Sequence, residues 1–426
     1  MTGPAQTAAW PKSILKPLKS EASMRHNESI VIAGAGLAGW TVAREVRKRD
    51  AHTPITLVTA DAGDFYAKPS LSNAFAQNRT PAQLITKAGF DMAQSLSLTL
   101  LPHTRIASID PSEKALQTSA GPMAYTQLVL ATGAQPIRLS LSGDAAEQVM
   151  SINSLEDFAA FHTQLSKAGA GPRKVLIMGA GLIGCEFAND LALAGHQVHV
   201  VDPSQAPIAA LLPPQVGQAL CGALAKLGVR WHLGQTVNAV EYSQARGDDA
   251  LLVHLSTGEV LACDQVVSAV GLRADLRLAQ AAGLACSRGI EVDPYLQTSA
   301  AHIFALGDAA QYAHGFTLPY VMPIMHAGKA LAATLTGTPS AVHFPLMPIA
   351  IKTPALPLLV APPGQSQRGH WRAESEGAWL FVDASAKSHG FVLMGEHTRR
   401  RGEFIERLYA ADLNASQQVP AVAMRL

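Results

Sequence analysis

Ile30-Val-Ile-Ala-Gly34-Ala35-Gly36-Leu37-Ala38-Gly39-Trp-Thr-Val-Ala-Arg-Glu-Val-Arg-Lys-Arg49 is the stretch on which the fold turns. The β-branched run at 29–33 suits a buried parallel strand. The three glycines follow at once, and a helix-like segment then runs to about Arg49. Ile55-Thr-Leu-Val58 adds a second apolar run, which completes a βαβ unit of about thirty residues. The glycines differ in what they allow. Gly34 permits the tight turn, Gly36 lets the backbone approach a pyrophosphate, and Gly39 lets helix and strand pack closely. The loop opens a helix whose free N–H groups and dipole favour an anion. Asp61 lies 22 residues past Gly39, near where an acid grips a ribose 2′-OH. It falls just beyond the strand, so the Thr59 and Ala60 backbone is expected to share that contact.

The pattern returns 145 residues later, as Gly179-Ala-Gly181-Leu-Ile-Gly184 after Val175–Met178. A helix to about Ala194 and a strand over Val198–Val201 follow, and Asp202 closes the unit 18 residues past Gly184. This is one nucleotide-binding module used twice. A carboxylate at the ribose accepts hydrogen bonds from a 2′-OH and repels a 2′-phosphate. Lys and Arg are absent between His199 and Ala225, so NADH is expected here rather than NADPH.

Composition narrows the remaining classes. Of 426 residues, 48% are hydrophobic and 15% charged, which excludes a disordered polyelectrolyte. Lys and Arg number 33 against 32 Asp and Glu, and the net charge of +1 makes no case for nucleic acid or an anionic membrane. Apolar runs fall short of the ~18 residues a membrane helix needs. The four cysteines form no C-x-x-C pair, and the chain reads as intracellular, with a cytoplasmic location expected. Residues 1–24 lack a secretory h-region and are read as a disordered leader, with Met24 a plausible internal start.

Two further segments end strands on small residues. Gln127-Leu-Val-Leu-Ala-Thr132-Gly133-Ala-Gln-Pro136 is expected to be a strand stopped by Pro136, and Ile303-Phe-Ala-Leu-Gly307-Asp308 is another. Alone, each is ordinary turn chemistry. In this order, however, the four motifs resemble the flavoprotein reductases with two dinucleotide-binding domains, from about Ile30 to Thr338. The resemblance implies FAD on the first fingerprint and NADH on the second. It places Asp308 on the FAD ribityl hydroxyls, with Ile106, Thr132, Gly133 and Gly307 among the FAD contacts and Gly271 among the nucleotide contacts. The helix expected from Tyr320, with Pro323 in its first turn, would aim its N-terminus and the Val321 backbone at the flavin N1/O2 edge.

Dithiol reductases of this family carry a cysteine pair near the flavin, and NADH peroxidases a single cysteine after the first βαβ unit. This chain has no cysteine before Cys185, which is expected to pack, so electrons must leave the flavin directly. Phe65-Tyr-Ala-Lys68-Pro-Ser-Leu-Ser72 is similar to a segment of rubredoxin and ferredoxin reductases. That likeness puts Lys68 near flavin N5, where it can pair with Glu186. Ferredoxin reductases often follow the segment with a second lysine, and Asn73 stands there instead. The stretches 181–190, 266–273 and 347–354 resemble the rubredoxin–NAD(+) reductases, which implies that Glu186 borders the nicotinamide. Lys352 would then reach the flavin side from the C-terminal domain.

The expected fold is α/β: two interleaved Rossmann-like dinucleotide-binding domains plus a C-terminal α+β domain. FAD would take residues 25–137 and 285–342, NADH 138–284, and an interface domain 343–426. In that last part Trp379–Val382 and Gly390–Met394 suggest an antiparallel sheet. A helix near Glu403–Ala411 would close it, and Arg399-Arg-Arg401 would form either a solvated turn or a patch for an acidic partner. The implied reaction is hydride transfer from NADH to FAD across ~3–3.5 Å, then single-electron transfer to the iron centre of rubredoxin, serving an alkane hydroxylase-type oxygenase. Lys68, Glu186 and Lys352 are the catalytic candidates, no metal site is expected, and the chain is expected to be monomeric. The rival readings are a ferredoxin reductase for a dioxygenase or P450, and an NADH-sensing flavin protein like apoptosis-inducing factor.

Overall fold

Ile30–Ala33 is buried on both faces, and that is why the run is apolar throughout rather than alternating. In the computed structural model, which describes residues 29–167, 171–244, 250–364 and 366–417, it forms the centre of a five-stranded sheet. The order is Ile303–Ala305, Gln127–Leu130, Ile30–Ala33, Ile55–Val58, Thr99–Leu101, all parallel. Residues 1–24, read as a leader, lie outside the described residues. The fingerprint helix Leu37–Arg49 packs on Val321–Leu335. A Cβ on Gly328 would come within 2.6 Å of Thr41 Cγ2, so the absent side chain is what brings these two helices together. Ile106–Asp110, Ala115–Thr118 and Gly121–Ala124 make an antiparallel meander whose Ile109 and Leu116 join the same core.

Strand order reverses between Ile30–Ala33 and Gln127–Leu130. Such a reversal opens a crevice beyond the carboxyl ends of the strands, where nucleotides bind. The strand Gln127–Leu130 ends in the expected small-residue turn, Ala131–Gly133. Ala134–Pro136 then starts a separate strand that pairs antiparallel with Leu272–Ala274.

The second module repeats the first. Its parallel sheet runs Arg230–Leu233, Gln197–Asp202, Lys174–Met178, Gln265–Ser268, with the helix Leu182–Leu193 after the fingerprint. A meander of Val237–Tyr242, Leu251–Leu255 and Val260–Cys263 completes it.

Beyond residue 343 the chain builds a five-stranded antiparallel sheet, ordered Ile349–Ile351, Leu358–Ala361, Ser388–Met394, Ala378–Val382, His370–Ser375. The helix Arg401–Gln417 closes it, with Phe404 against Phe391 at 5.5 Å between ring centroids. Arg400 belongs to the 3-10 turn entering that helix rather than to a free loop. It grips Glu403 through two bonds of 2.9 and 2.8 Å and lies 5.1 Å over the Phe404 ring. Among the described residues, no helix is long and apolar enough to cross a membrane.

Candidate active site

The first cradle is built by what its glycines lack. Gly34 sits at φ +113°, and a Cβ there would lie 2.3 Å from Ala131 O, so the loops after the two central strands touch only because it is glycine. A Cβ on Gly39 would lie 1.9 Å from Gly34 O, which closes the helix onto the strand. Nothing lies within 4 Å of a Cβ on Gly36. That open face at a helix start fits a phosphate group of FAD, with N–H groups free to receive it. Ala35 and Ala38 are buried, and Leu37 begins the helix.

Asp61, expected at the ribose, is partly committed. Its Oδ1 accepts from Thr59 Oγ1 at 2.6 Å and from Gly63 N at 2.9 Å, so the carboxylate holds the turn that carries it. Thr59 backbone groups pair with Leu101 O and Thr104 N, while Ala60 is exposed. Ile106 starts the meander two residues past Thr104 and is half-buried.

Gly307, at φ +74°, brings the other end of the crevice in. A Cβ there would meet Ala38 at 3.1 Å and Ile324 at 3.7 Å, so it sits where two helices converge. Burial pushes the Asp308 carboxyl up, and the nearby positive charge of Lys68 pulls it back. Burial pushes Lys68 down, countered by Asp308 and Asp157. Lys68 and Asp308 thus feel each other's charge. Val321 is 41% exposed and opens the helix Val321–Leu335, after the extended cap Tyr320.

The second cradle matches the first. Gly179, at φ +103°, could carry no Cβ, with Ala269 O 2.6 Å away, Gly184 is pressed on Gly179 O, and Gly181 is open. Gly271, at φ +121°, occupies the turn that answers to Gly133 in the first module. Asp202 ends its strand, as the spacing requires. Its Oδ2 accepts from Ala180 N at 2.6 Å and its Oδ1 from Ser204 N at 2.7 Å, so the acid is locked against the fingerprint loop.

Between the cradles, the structure corrects one expected pairing. The partner of Glu186 is Lys352, at 2.8 Å, and not Lys68. The physical reason is the position of Lys352: its own N–H donates to Glu186 Oε1 at 3.0 Å, which holds its side chain over the carboxylate. Ser72 Oγ donates to Glu186 Oε2 at 2.7 Å, and the Lys352 ammonium also donates to Pro69 O.

Further down the same helix are two residues absent from the sequence-based site. Asn189 Oδ1 accepts from Ala355 N at 3.1 Å. Asp190, 2% exposed, accepts from Phe75 N and Ala76 N, both at 2.9 Å. Positions 186, 189 and 190 share one helix face at i, i+3 and i+4. Three polar residues in an otherwise apolar helix were the available signal. Together they fasten the 68–76 segment and the 352–355 segment to the nicotinamide-fingerprint helix. Cys185 is buried, bonded to Ala180 O at 3.4 Å, and burial pushes its thiol far up, which leaves it packed rather than reactive. Among the described residues, no group of three His, Cys, Asp or Glu could hold a metal.

Two nucleotide cradles on parallel sheets, meeting near the part-buried Glu186–Lys352 ion pair and lacking a dithiol, define a flavin- and nicotinamide-dependent oxidoreductase. A pyridine nucleotide-disulphide oxidoreductase model matches residues 28–333, and the chain belongs to that family. A rubredoxin binding C-terminal domain model matches residues 341–408. The chain is 40% identical over 385 residues to a rubredoxin–NAD(+) reductase of Alcanivorax borkumensis, covering 89% of this chain and 98% of the relative. It is 40% identical over 373 residues to a nitric oxide reductase FlRd–NAD(+) reductase of Aeromonas salmonicida, covering 87% and 94%. Among solved structures, a ferredoxin reductase from Rhodopseudomonas palustris superposes with a TM-score of 0.78 at 27% identity, covering 88% and 94%.

Proposed function

We propose that this chain is an FAD-dependent NADH reductase that delivers electrons singly to rubredoxin. The observation that carries the reading is the C-terminal sheet: it matches a rubredoxin-binding domain and places Lys352 at the junction of the two cradles. When bound, FAD supplies the conversion of a two-electron hydride donor into a one-electron source. The protein supplies alignment and charge.

Gly34, Gly36 and Gly39 would seat the FAD pyrophosphate, Asp61 with Thr59 and Ala60 the ribose, and Asp308 the ribityl hydroxyls. Lys68 would stand beside flavin N5, with Thr132, Gly133 and the Val321 N–H along the ring. Gly179, Gly181 and Gly184 would hold the NADH pyrophosphate, Asp202 its ribose hydroxyls, and Glu186 the edge of the nicotinamide pocket. Buried cysteines with raised thiols support direct electron exit. The domain bounds that go with this reading are 25–137 plus 285–342 for FAD, 138–284 for NADH and 343–426 for the acceptor. A monomer in the cytoplasm, feeding an alkane hydroxylase-type oxygenase, completes the proposal.

Steady-state turnover with NADH and a panel of purified acceptors tests it. Rubredoxin should be reduced at far lower concentration than a plant-type or P450-type ferredoxin. Preference for a ferredoxin, or for the FlRd protein alone, would reassign the acceptor.

A further inference from the structure

Glu186 is buried at the junction, with its side chain 10% exposed. A carboxylate so placed needs a counter-charge, since desolvation otherwise makes its ionised form costly. Among the described residues, neither nucleotide module supplies one. Lys68 forms no ion pair with Glu186, which pairs with Lys352 instead, and Asn73, next in chain to Ser72, carries no charge and leaves its buried Nδ2 without a partner. The ammonium comes from 166 residues away. Lys352 donates to Glu186 Oε2 at 2.8 Å, to Ser72 Oγ at 3.4 Å and to Pro69 O, while its backbone N–H takes Glu186 Oε1.

We infer that Lys352 is a positioning residue of the NADH half-reaction: the acceptor-binding domain supplies the counter-charge that neutralises Glu186 at the nicotinamide. The domain that meets the electron acceptor thereby also sets the charge felt by the electron donor. The inference rests on the placement of Glu186 at the nicotinamide given above, and its consequence is electrostatic. With Lys352 present, the Glu186–Lys352 pair is neutral and the pocket has no special attraction for the pyridinium of NAD+. With Lys352 replaced by an apolar residue, the carboxylate is uncompensated and draws the pyridinium in. A purely mechanical pin would behave differently, because its loss loosens the helix and weakens every ligand of this module together.

The test is calorimetric binding of NAD+ and of ADP-ribose, which lacks the nicotinamide, to oxidised holoprotein. Wild type, Lys352→Met and the double variant Asn73→Lys/Lys352→Met are compared, with bound FAD measured to confirm a folded protein. Lys352→Met should favour NAD+ over ADP-ribose by about tenfold more than wild type. Asn73→Lys, which returns a positive charge beside Ser72, should bring the ratio back toward wild type. Stopped-flow bleaching by NADH, without rubredoxin, should quicken in Lys352→Met, because the pyridinium forms as the hydride leaves, and return toward wild type in the double variant. An unchanged ratio, equal weakening of both ligands, or no recovery with Asn73→Lys would overturn the inference. Wild type that binds neither ligand would instead overturn the nicotinamide site itself.

Discussion

The Lys352 ammonium, carried at the end of the first strand of the C-terminal sheet, stands 2.8 Å from the Glu186 carboxylate on the second fingerprint helix. Ser72 completes the contact from the segment that also bears Lys68. One carboxylate therefore binds the second fingerprint helix, the 68–76 segment and the C-terminal sheet to one another. Asn189 and Asp190 extend the joint along the same helix.

Gly36 and Gly39 should fail differently. Gly36→Ala adds a methyl that meets nothing in the protein, so the fold should lose under about 1 kcal/mol. FAD affinity should nonetheless fall about tenfold or more, because the methyl occupies the phosphate approach. Gly39→Ala drives a Cβ into Gly34 O and should cost about 3 kcal/mol in thermal or urea melts of apoprotein. Equal stability loss in the two variants would contradict this division of labour.

Lys68 should raise the flavin potential. Its positive charge is felt by Asp308, and a cation beside N5 would favour the reduced anionic flavin. Lys68→Ala should therefore lower the midpoint potential by roughly tens of millivolts in an anaerobic spectroelectrochemical titration. An unchanged or higher potential would remove Lys68 from the ring.

Asp202 should govern the choice between NADH and NADPH. Asp202→Ala removes the charge that repels a 2′-phosphate, and the ratio of kcat/KM values for the two should narrow by about tenfold or more. Because Asp202 also accepts from Ala180 N and Ser204 N, its loss should raise KM for NADH as well. Undiminished discrimination would place the choice elsewhere.

His199 should make the fold acid-sensitive. Its ring stacks on His232, with centroids 5.2 Å apart, and burial and that neighbour hold it down at about 4, against an ordinary 6.5. In the window between these values the unfolded chain binds a proton that the folded chain refuses. The stability His199 contributes is complete above 6.5 and is lost as pH falls through the window toward about 4. Thermal melts across this range should show a shallower fall for His199→Gln than for wild type, and identical slopes would sink the assignment.

Both cradles were legible in the sequence because their constraints are local. Gly39 and Gly184 are required by approaches to Gly34 O and Gly179 O within one βαβ unit, and Gly34, Gly36, Gly179 and Gly181 recur at fixed spacing around them, so spacing reports all six. Asp202 is legible for the same reason, standing at the end of its strand. Asp61 is less so, since its carboxylate is half spent on its own turn. The Glu186 partner was not legible: two lysines were available, and which one arrives depends on how a distant sheet docks. The small-residue turn after Leu130 was legible, but the separate strand Ala134–Pro136 was not, because it takes its partner from Leu272–Ala274. Asp190 is one more helix residue in the sequence; only the fold sets the N–H groups of Phe75 and Ala76 against it.

Electrons should run from NADH through FAD to rubredoxin, and an anaerobic stopped-flow experiment decides whether they do. The FAD-loaded protein is mixed with NADH, the flavin absorbance is followed, and rubredoxin or ferredoxin is then added. Rapid bleaching by NADH and fast reoxidation by rubredoxin but not by ferredoxin are expected. Bleaching followed by slow reoxidation with every carrier would contradict this route and leave a nicotinamide-binding flavoprotein without this acceptor.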